Sequence, residues 1–225
     1  MNSTETIQNV TTGELFDCDV TYLKDIFLLH EYPWDILPEI KIIISELLET
    51  GIEGFSKFRE NLLVGEGVKI AESAVIEGNV ILGPGTEVRP GAYIRGNVIT
   101  GPDCVIGNST ELKNCILLEH VQVPHYNYVG DSILGNYAHM GAGAVCSNLK
   151  SDGKSVVIHG ETDHETGLRK IGAFLGDHAD VGCGCVLNPD TVIGKTTSVY
   201  PMTAVRGVIP AGMIVKTMND IVVRE

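Results

Sequence analysis

Basic residues are scarce in this chain. Sixteen Lys and Arg stand against 29 Asp and Glu, a formal charge of −13, so no face is expected to attract nucleic acid or an anionic membrane surface. Each Arg or Lys is therefore weighed singly as an anion ligand. Long apolar runs are also missing. No segment reaches the roughly 20 residues that span a bilayer. The opening Met-Asn-Ser-Thr-Glu-Thr has neither the basic n-region nor the apolar h-region of an export signal. A cytoplasmic protein is expected. There is no Cys-x-x-Cys, and six cysteines without an export signal read as reduced thiols rather than a disulfide framework. Cys183 and Cys185, one residue apart, fit neither a zinc ribbon nor a redox pair, which leaves them as small buried hydrophobes. Tryptophan occurs once. Trp34, in Tyr-Pro-Trp-Asp, is expected to be a packing anchor.

What is present falls into two textures. A chain of 225 residues with 44% hydrophobic content can bury a real core, and it divides into residues 1–62, an N-terminal arm with helices, and residues 63–225. The arm, polar and patternless up to about Phe16, is expected to be loose. Asp19 or Thr21 suits the cap of a helix carrying Leu23, Ile26 and Phe27. Pro38 sits near the start of a second helix, where Ile40, Ile43, Ile44, Leu47 and Leu48 share one face and Gly51 takes the C-cap position.

From Val64 the aliphatic residues recur every six positions: Val64, Ile70, Ile76, Leu82, Val88, Ile94, Thr100, Ile106, Leu112 and Leu118, then Leu175, Val181, Leu187, Ile193, Val199 and Val205. That period suits neither a helix nor a long strand. It suits very short strands joined by tight turns, with small residues allowing left-handed backbone at each corner. The expected fold is all-β, a solenoid whose open ends need covers; the N-terminal helices suit one end, and Gly212-Met213-Ile214 with the tail suits the other. Two breaks interrupt the ladder, one from Pro124 to Leu134 and one a polar loop at 147–170. Insertions of this kind are often the working face of a solenoid.

The hexads Ile-Gly-Asn-Ser-Thr-Glu and Ile-Gly-Lys-Thr-Thr-Ser resemble those of the hexapeptide-repeat acyltransferases, a resemblance that implies a left-handed parallel β-helix. Three hexads per triangular turn then give roughly eight coils. Gly107 to Asn114, Val123 to Asp131, His139 to Asn148 and Thr166 to Asp177 resemble the acetyltransferase domain of bifunctional glucosamine-1-phosphate acetyltransferase/uridylyltransferases and their archaeal sugar-phosphate relatives, over about Val64 to Lys216. Those enzymes open with a nucleotidyltransferase domain carrying Ala-Gly-Gly-x-Gly-Thr-Arg. Nothing before Val64 has it, so another protein is expected to supply any uridylyl transfer.

The resemblance implies an acetyl-CoA-dependent N-acetyltransferase acting on an aminosugar phosphate such as glucosamine 1-phosphate. His125 matches the catalytic histidine, and a neutral imidazole suits a general base. Arg89 and Lys113 match phosphate contacts. Both follow an inward aliphatic and stand four hexads apart, so a shared face is expected for them. Tyr128, Asn148 and Lys154 match further substrate contacts. His139 falls where bacterial members carry a sugar-binding asparagine, and it suits a hydrogen-bond donor or a second titrating group. Backbone N–H groups of Gly141 to Gly143 are oxyanion candidates, with Ala142 on the acetyl-CoA position. Cys183 matches a serine near the thioester, and Lys216 an arginine at a CoA phosphate. No metal is expected, and the family implies a homotrimer with sites between neighbouring helices.

Two other readings compete. His120 and His125 have the H-x4-H spacing of the γ-class carbonic anhydrases, which share this β-helix and bind zinc. No histidine lies between His30 and His120 to supply the third ligand from an earlier coil, leaving His139. The other reading is a non-catalytic, sugar-nucleotide-binding assembly module.

Overall fold

The computed structural model describes residues 10–224. The solenoid is a stack of parallel coils with three faces, and three short strands make each coil. The first face runs from Leu62–Gly65 through Val80–Leu82 and Val98–Thr100 to Ala173–Leu175, Thr191–Ile193 and Val208–Ile209. The second runs from Lys69–Ile70 to Met213–Thr217, and the third from Val75–Glu77 to Ala204–Val205. Eight strands lie along the second face, in line with the coil number expected from three hexads per turn.

Inward positions follow the hexads for most of the length. Val64, Leu82, Val88, Ile94, Ile106 and Leu112 enter the central core, as do Leu175, Val181, Leu187, Ile193, Val199 and Val205. Thr100 takes one such position and satisfies its hydroxyl on the Gly83 amide (2.9 Å) and the Thr86 hydroxyl (3.1 Å), which makes a buried polar side chain tolerable. Glycine follows many inward residues because there the Cβ would point along the axis. A Cβ on Gly107 would run into the Pro124 carbonyl of the next coil.

The first break differs from its expected place. Leu117, not Leu118, pairs with Thr100 and points inward, and Leu134 follows Leu117 after 17 residues rather than 18. The missing residue is lost at one corner in two successive coils, between Leu112 and Leu117 and between Val129 and Leu134. The chain turns there on Asn114 (φ 47°) and Asp131 (φ 49°) without leaving the ladder, so Glu111–Leu117 and Tyr128–Leu134 each run unbroken from the third face onto the first. At the same corner of the next coil the second break begins. The chain leaves after Val145–Cys146, forms the hairpin Val157–His159/Asp163–Glu165, and returns at Ala173.

The corners are not reserved for small residues. Between the first and second faces the left-handed position is filled in turn by Gly67, Gly85, Asp103, His120, Tyr137, His178, Thr196 and Gly212. Such backbone costs a non-glycine residue roughly 1–2 kcal/mol. Part is offset by stacking: the Tyr137 ring lies 4.6 Å from His120 and 4.9 Å from His178, centroid to centroid.

The N-terminal helices do not cap an end. They lie along the first face, whose strands are apolar on both sides, as in Val80-Ile81-Leu82 and Ala173-Phe174-Leu175. Leu63, Ile81, Ile99, Ile116, Ile133, Phe174 and Val192 point outward there and share a second core with Leu23, Phe27, Trp34, Ile36, Ile40 and Ile44. Val156, Ile158 and Ile171 of the inserted loop complete it. Burying each such side chain stabilises by roughly 1.5–3 kcal/mol, which is why the helices take this face.

Within the layer, Thr21–Leu29 begins at Val20 without a side-chain cap, so neither Asp19 nor Thr21 plays that part. Trp34 is buried and stacks on Tyr32 at 4.7 Å, and Gly51 closes Ile40–Thr50 at φ 78°. The expected loose arm lies partly outside the described residues. From Val10 onward it is ordered, with Thr12–Leu15 held by a capping box between Thr11 and Glu14, and with Val10, Leu15 and Phe16 buried. No helix among the described residues is long and apolar enough to cross a membrane.

The ends are covered by antiparallel strands. Phe55–Arg59 pairs with the first strand of the first face, and Asp220–Val223 with the last strand of the second.

Candidate functional site

Two corners border the third face, and the predicted residues sort onto them. At the corner entering it, the backbone ladder links Asn108 O to Tyr126 N (2.8 Å), His125 O to Gly143 N (3.0 Å), Ala142 O to Gly184 N (2.9 Å) and Cys183 O to Met202 N (2.8 Å). His125, Ala142 and Cys183 thus occupy one position in successive coils. Arg89 turns the same corner nearer the N-terminal end, whereas Lys216 lies in Met213–Thr217, which reverses into Asp220–Val223 without entering the third face. His125 is exposed and no hydrogen bond to its ring is found among the described residues. Its own amide is fixed by Asn127 Oδ1 at 3.1 Å. Asn127, buried, also donates to the carbonyls of Gly141 (2.8 Å) and Ala144 (3.1 Å), stitching the histidine turn to the next coil.

Two of the three oxyanion candidates are already committed. Gly141 N–H donates to Val181 O (2.7 Å) and Gly143 N–H to His125 O, because both belong to the coil-to-coil ladder. That leaves Ala142. Cys183 is exposed, against the expectation of a buried thiol, since it stands at the turn; Cys185 is buried as expected.

At the corner leaving the third face, Asp131 is almost wholly buried and collects three partners. Lys113 Nζ lies 3.2 Å from Oδ2, Asn148 Nδ2 2.5 Å from Oδ2, and Asn114 Nδ2 3.0 Å from Oδ1. Asn148 also donates to the Tyr128 hydroxyl at 3.1 Å. Burial first, then the carboxylates of Asp131 and Glu111, push the Tyr128 phenol above its usual range, so its hydroxyl keeps its proton at neutral pH. Beside this corner a cleft of about 410 Å³ is walled by Leu37 and Pro38 from the helical layer and by Leu149, Leu168, Arg169 and Lys170 from the loop.

Arg89 and Lys113 do not share a face. Four hexads carry the chain once round the triangle and one face further, so Arg89 leaves the second face and Lys113 the third. Arg89 is instead paired with Glu87 at 3.3 Å. Lys154 is exposed in the loop, where its amide meets Asp152 at 3.0 Å.

His139 points outward on the second face, its Nδ1 2.8 Å from Oδ1 of Asp180, and borders a cleft of about 420 Å³ with Cys183, Tyr200 and Arg224. His120 and His125 belong to different corners, so the H-x4-H spacing does not gather two imidazoles. His120 stacks on Tyr137 and lies 3.7 Å from Asp103. Among the described residues no cluster of three or more His, Cys, Asp or Glu is arranged to hold a metal ion.

Sequence reasoning missed Asn127, Asp131 and Asp180. The first two lie inside the Val123 to Asp131 motif and were readable as polar residues at ladder positions. Asp180 stands 41 residues from its histidine, across the insertion.

Residues 76–165 match a family model described as the GMPPB C-terminal domain. The chain is 34% identical over 220 residues to the bifunctional protein GlmU of Methanococcus maripaludis, covering 96% of this chain and 53% of that protein. It is 32% identical over 174 residues to a bifunctional sugar-1-phosphate nucleotidylyltransferase/acetyltransferase of Sulfurisphaera tokodaii, covering 75% of this chain and 43% of that one. It spans about half the length of the curated relatives it matches. A solved structure of a hexapeptide transferase family protein from Anaplasma phagocytophilum is similar at a TM-score of 0.41 and 12% identity, over 69% of this chain and 79% of that one.

Proposed function

The chain belongs to the hexapeptide-repeat acyltransferases and shares their left-handed parallel β-helix, and we propose that it transfers an acetyl group from acetyl-CoA to the amine of an aminosugar phosphate such as glucosamine 1-phosphate, with His125 as general base. The observation that carries this reading is the alignment of His125, Ala142 and Cys183 in one corner ladder, a strip of the third face away from the cluster of Tyr128, Lys113 and Asn148. Neighbouring coils are spaced by about 4.8 Å, so a pantetheine arm running along this corner passes an imidazole, a free amide and a thiol in turn.

In the proposed reaction the acceptor nitrogen attacks the thioester carbonyl directly. The unpartnered His125 ring takes the proton lost from nitrogen, the amide bond forms, and the C–S bond breaks to release the CoA thiolate. Ala142 N–H stabilises the carbonyl oxygen as charge develops on it. Tyr128, Lys113 and Asn148 hold the sugar. Arg89 on the exposed corner and Lys216 in the last strand of the second face, paired to Glu87 and more loosely to Asp220 at 3.8 Å, can exchange these carboxylates for phosphate at little cost. Lys154 completes the acceptor contacts from the loop, and His139, on the second face, would reach the acceptor only across the junction with a neighbouring prism. A homotrimer closes the shallow corner against a neighbouring prism, which gives CoA a groove rather than a surface.

A second reading assigns the base to His139, because its ring is oriented by Asp180 whereas that of His125 is not. The first test is a panel of aminosugar phosphates, including glucosamine 1-phosphate and galactosamine 1-phosphate, with acetyl-CoA, followed by thiol release. Release dependent on one amine acceptor is expected; none with any member would defeat the proposal.

A further inference from the structure

We propose that Asp131 is a positioning residue, which aims Lys113 and Asn148 at the acceptor and holds the inserted loop to the coils; this rests on the acceptor site described under Proposed function. The carboxylate lies where no repeat position would normally put one. Because its corner is one residue short in two successive coils, Asp131 turns at φ 49° inside a continuous ladder instead of projecting from a loop. It therefore reaches one coil back to Lys113 and Asn114 and one coil forward to Asn148.

Each contact ties down a different part of the molecule. Lys113 has a flexible four-carbon stem, and a single buried acceptor at 3.2 Å selects one orientation of its ammonium. Asn148 is the second residue of the insertion, so its bond to Asp131 fixes the start of the loop against the coils. Asn114 donates to the Leu37 carbonyl at 3.3 Å as well, which links the helical layer to the same point. Room for this convergence comes from Gly130, where a Cβ would run into the Tyr128 hydroxyl and stand 2.9 Å from Asn148 Nδ2. The site thus has its ammonium, amide and phenol oriented before any ligand arrives. Removing either member of the Lys113–Asp131 pair strands a charge, in the case of Asp131 a buried one.

The test is a double-mutant cycle read in two ways. In steady-state kinetics Asp131→Asn should raise the KM for the aminosugar phosphate about tenfold and change that for acetyl-CoA by less than about twofold, and on top of Lys113→Ala it should add less than about twofold. Penalties that multiply, or equal effects on both substrates, would overturn the proposal. In thermal melts without substrate, Lys113→Met should lower the midpoint and Asp131→Asn added to it should restore most of the loss; no restoration would overturn the pairing. If Asp131→Asn alone does not fold, Asn114→Ala, which frees one side of the Asp131 carboxylate without removing an acceptor contact, should reproduce the selective rise in KM, and an unchanged KM would count against the proposal. Melting requires no turnover, so a wild-type protein that acetylates no acceptor defeats the transferase reading while the melts still decide the coupling.

Discussion

Nδ1 of His139 lies 2.8 Å from Oδ1 of Asp180, one coil further on. A carboxylate there accepts the Nδ1 proton and leaves Nε2 as the lone pair facing the cleft, the arrangement that makes an oriented base. Among the described residues His125 has no such partner, yet it stands in the ladder with Ala142 and Cys183. The two imidazoles therefore predict different kinetics.

With His125 as base, His125→Ala lowers kcat about 10²- to 10⁴-fold, while His139→Ala acts mainly on acceptor KM and by less than about tenfold. Rates measured against both substrates, with Asp180→Asn alongside, separate the cases. A large fall in kcat shared by His139→Ala and Asp180→Asn would move the base to the second face.

Thiol labelling reads the corner directly. Burial pushes the Cys104 and Cys146 thiols up to about 12 and Cys18 to about 11, and drives Cys115 and Cys185 upward too. Cys183 alone is exposed. Iodoacetamide at neutral pH should modify Cys183 first, and CoA should slow that reaction; peptide mapping by mass gives both results.

Phe174 is fully buried between the first face and the helical layer, 6.1 Å from the Trp34 ring. Phe174→Ala should cost about 3–5 kcal/mol. Denaturant titration followed by Trp34 fluorescence measures it, since the same change alters the tryptophan environment.

Two glycines separate crowding from backbone strain. Gly107→Ala forces a Cβ into the backbone of the next coil, so a loss above about 4 kcal/mol or an insoluble product is expected. Gly96 has φ 86° and open space around it, so Gly96→Ala should cost only about 1 kcal/mol. Midpoints of urea unfolding compare the two.

Much of the solenoid was legible because its inward residues obey a strict period, as Leu175, Val181 and Leu187 do. The break expected at Pro124 to Leu134 begins earlier, between Leu112 and Leu117, and went unseen because Leu118 keeps the hexad count as well as Leu117 does; both are apolar and both are buried, in different cores. The stripe of Leu63, Ile81, Ile99 and Ile116 was present in the sequence too. It marks the first face as apolar on its outer side, which is why the helices cover a side rather than an end.

Partners across coils were harder to read. Lys113 meets Asp131 after 18 residues, Gln122 meets His139 after 17, and His139 meets Asp180 after 41, so pairing depends on the length of every turn between. Arg89 and Lys113 show the same difficulty: the hexad phase was right, but counting hexads without counting faces put them together.

Phe55–Arg59 and Asp220–Val223 run against the direction of the coils they adjoin. A second copy laid end to end would meet a strand of the wrong polarity on one side of the triangle at either terminus, and elsewhere edges of only two or three residues. Among the described residues the coils thus end on a reversed strand and on very short edges, the kind of ending that gives a further chain little to pair with.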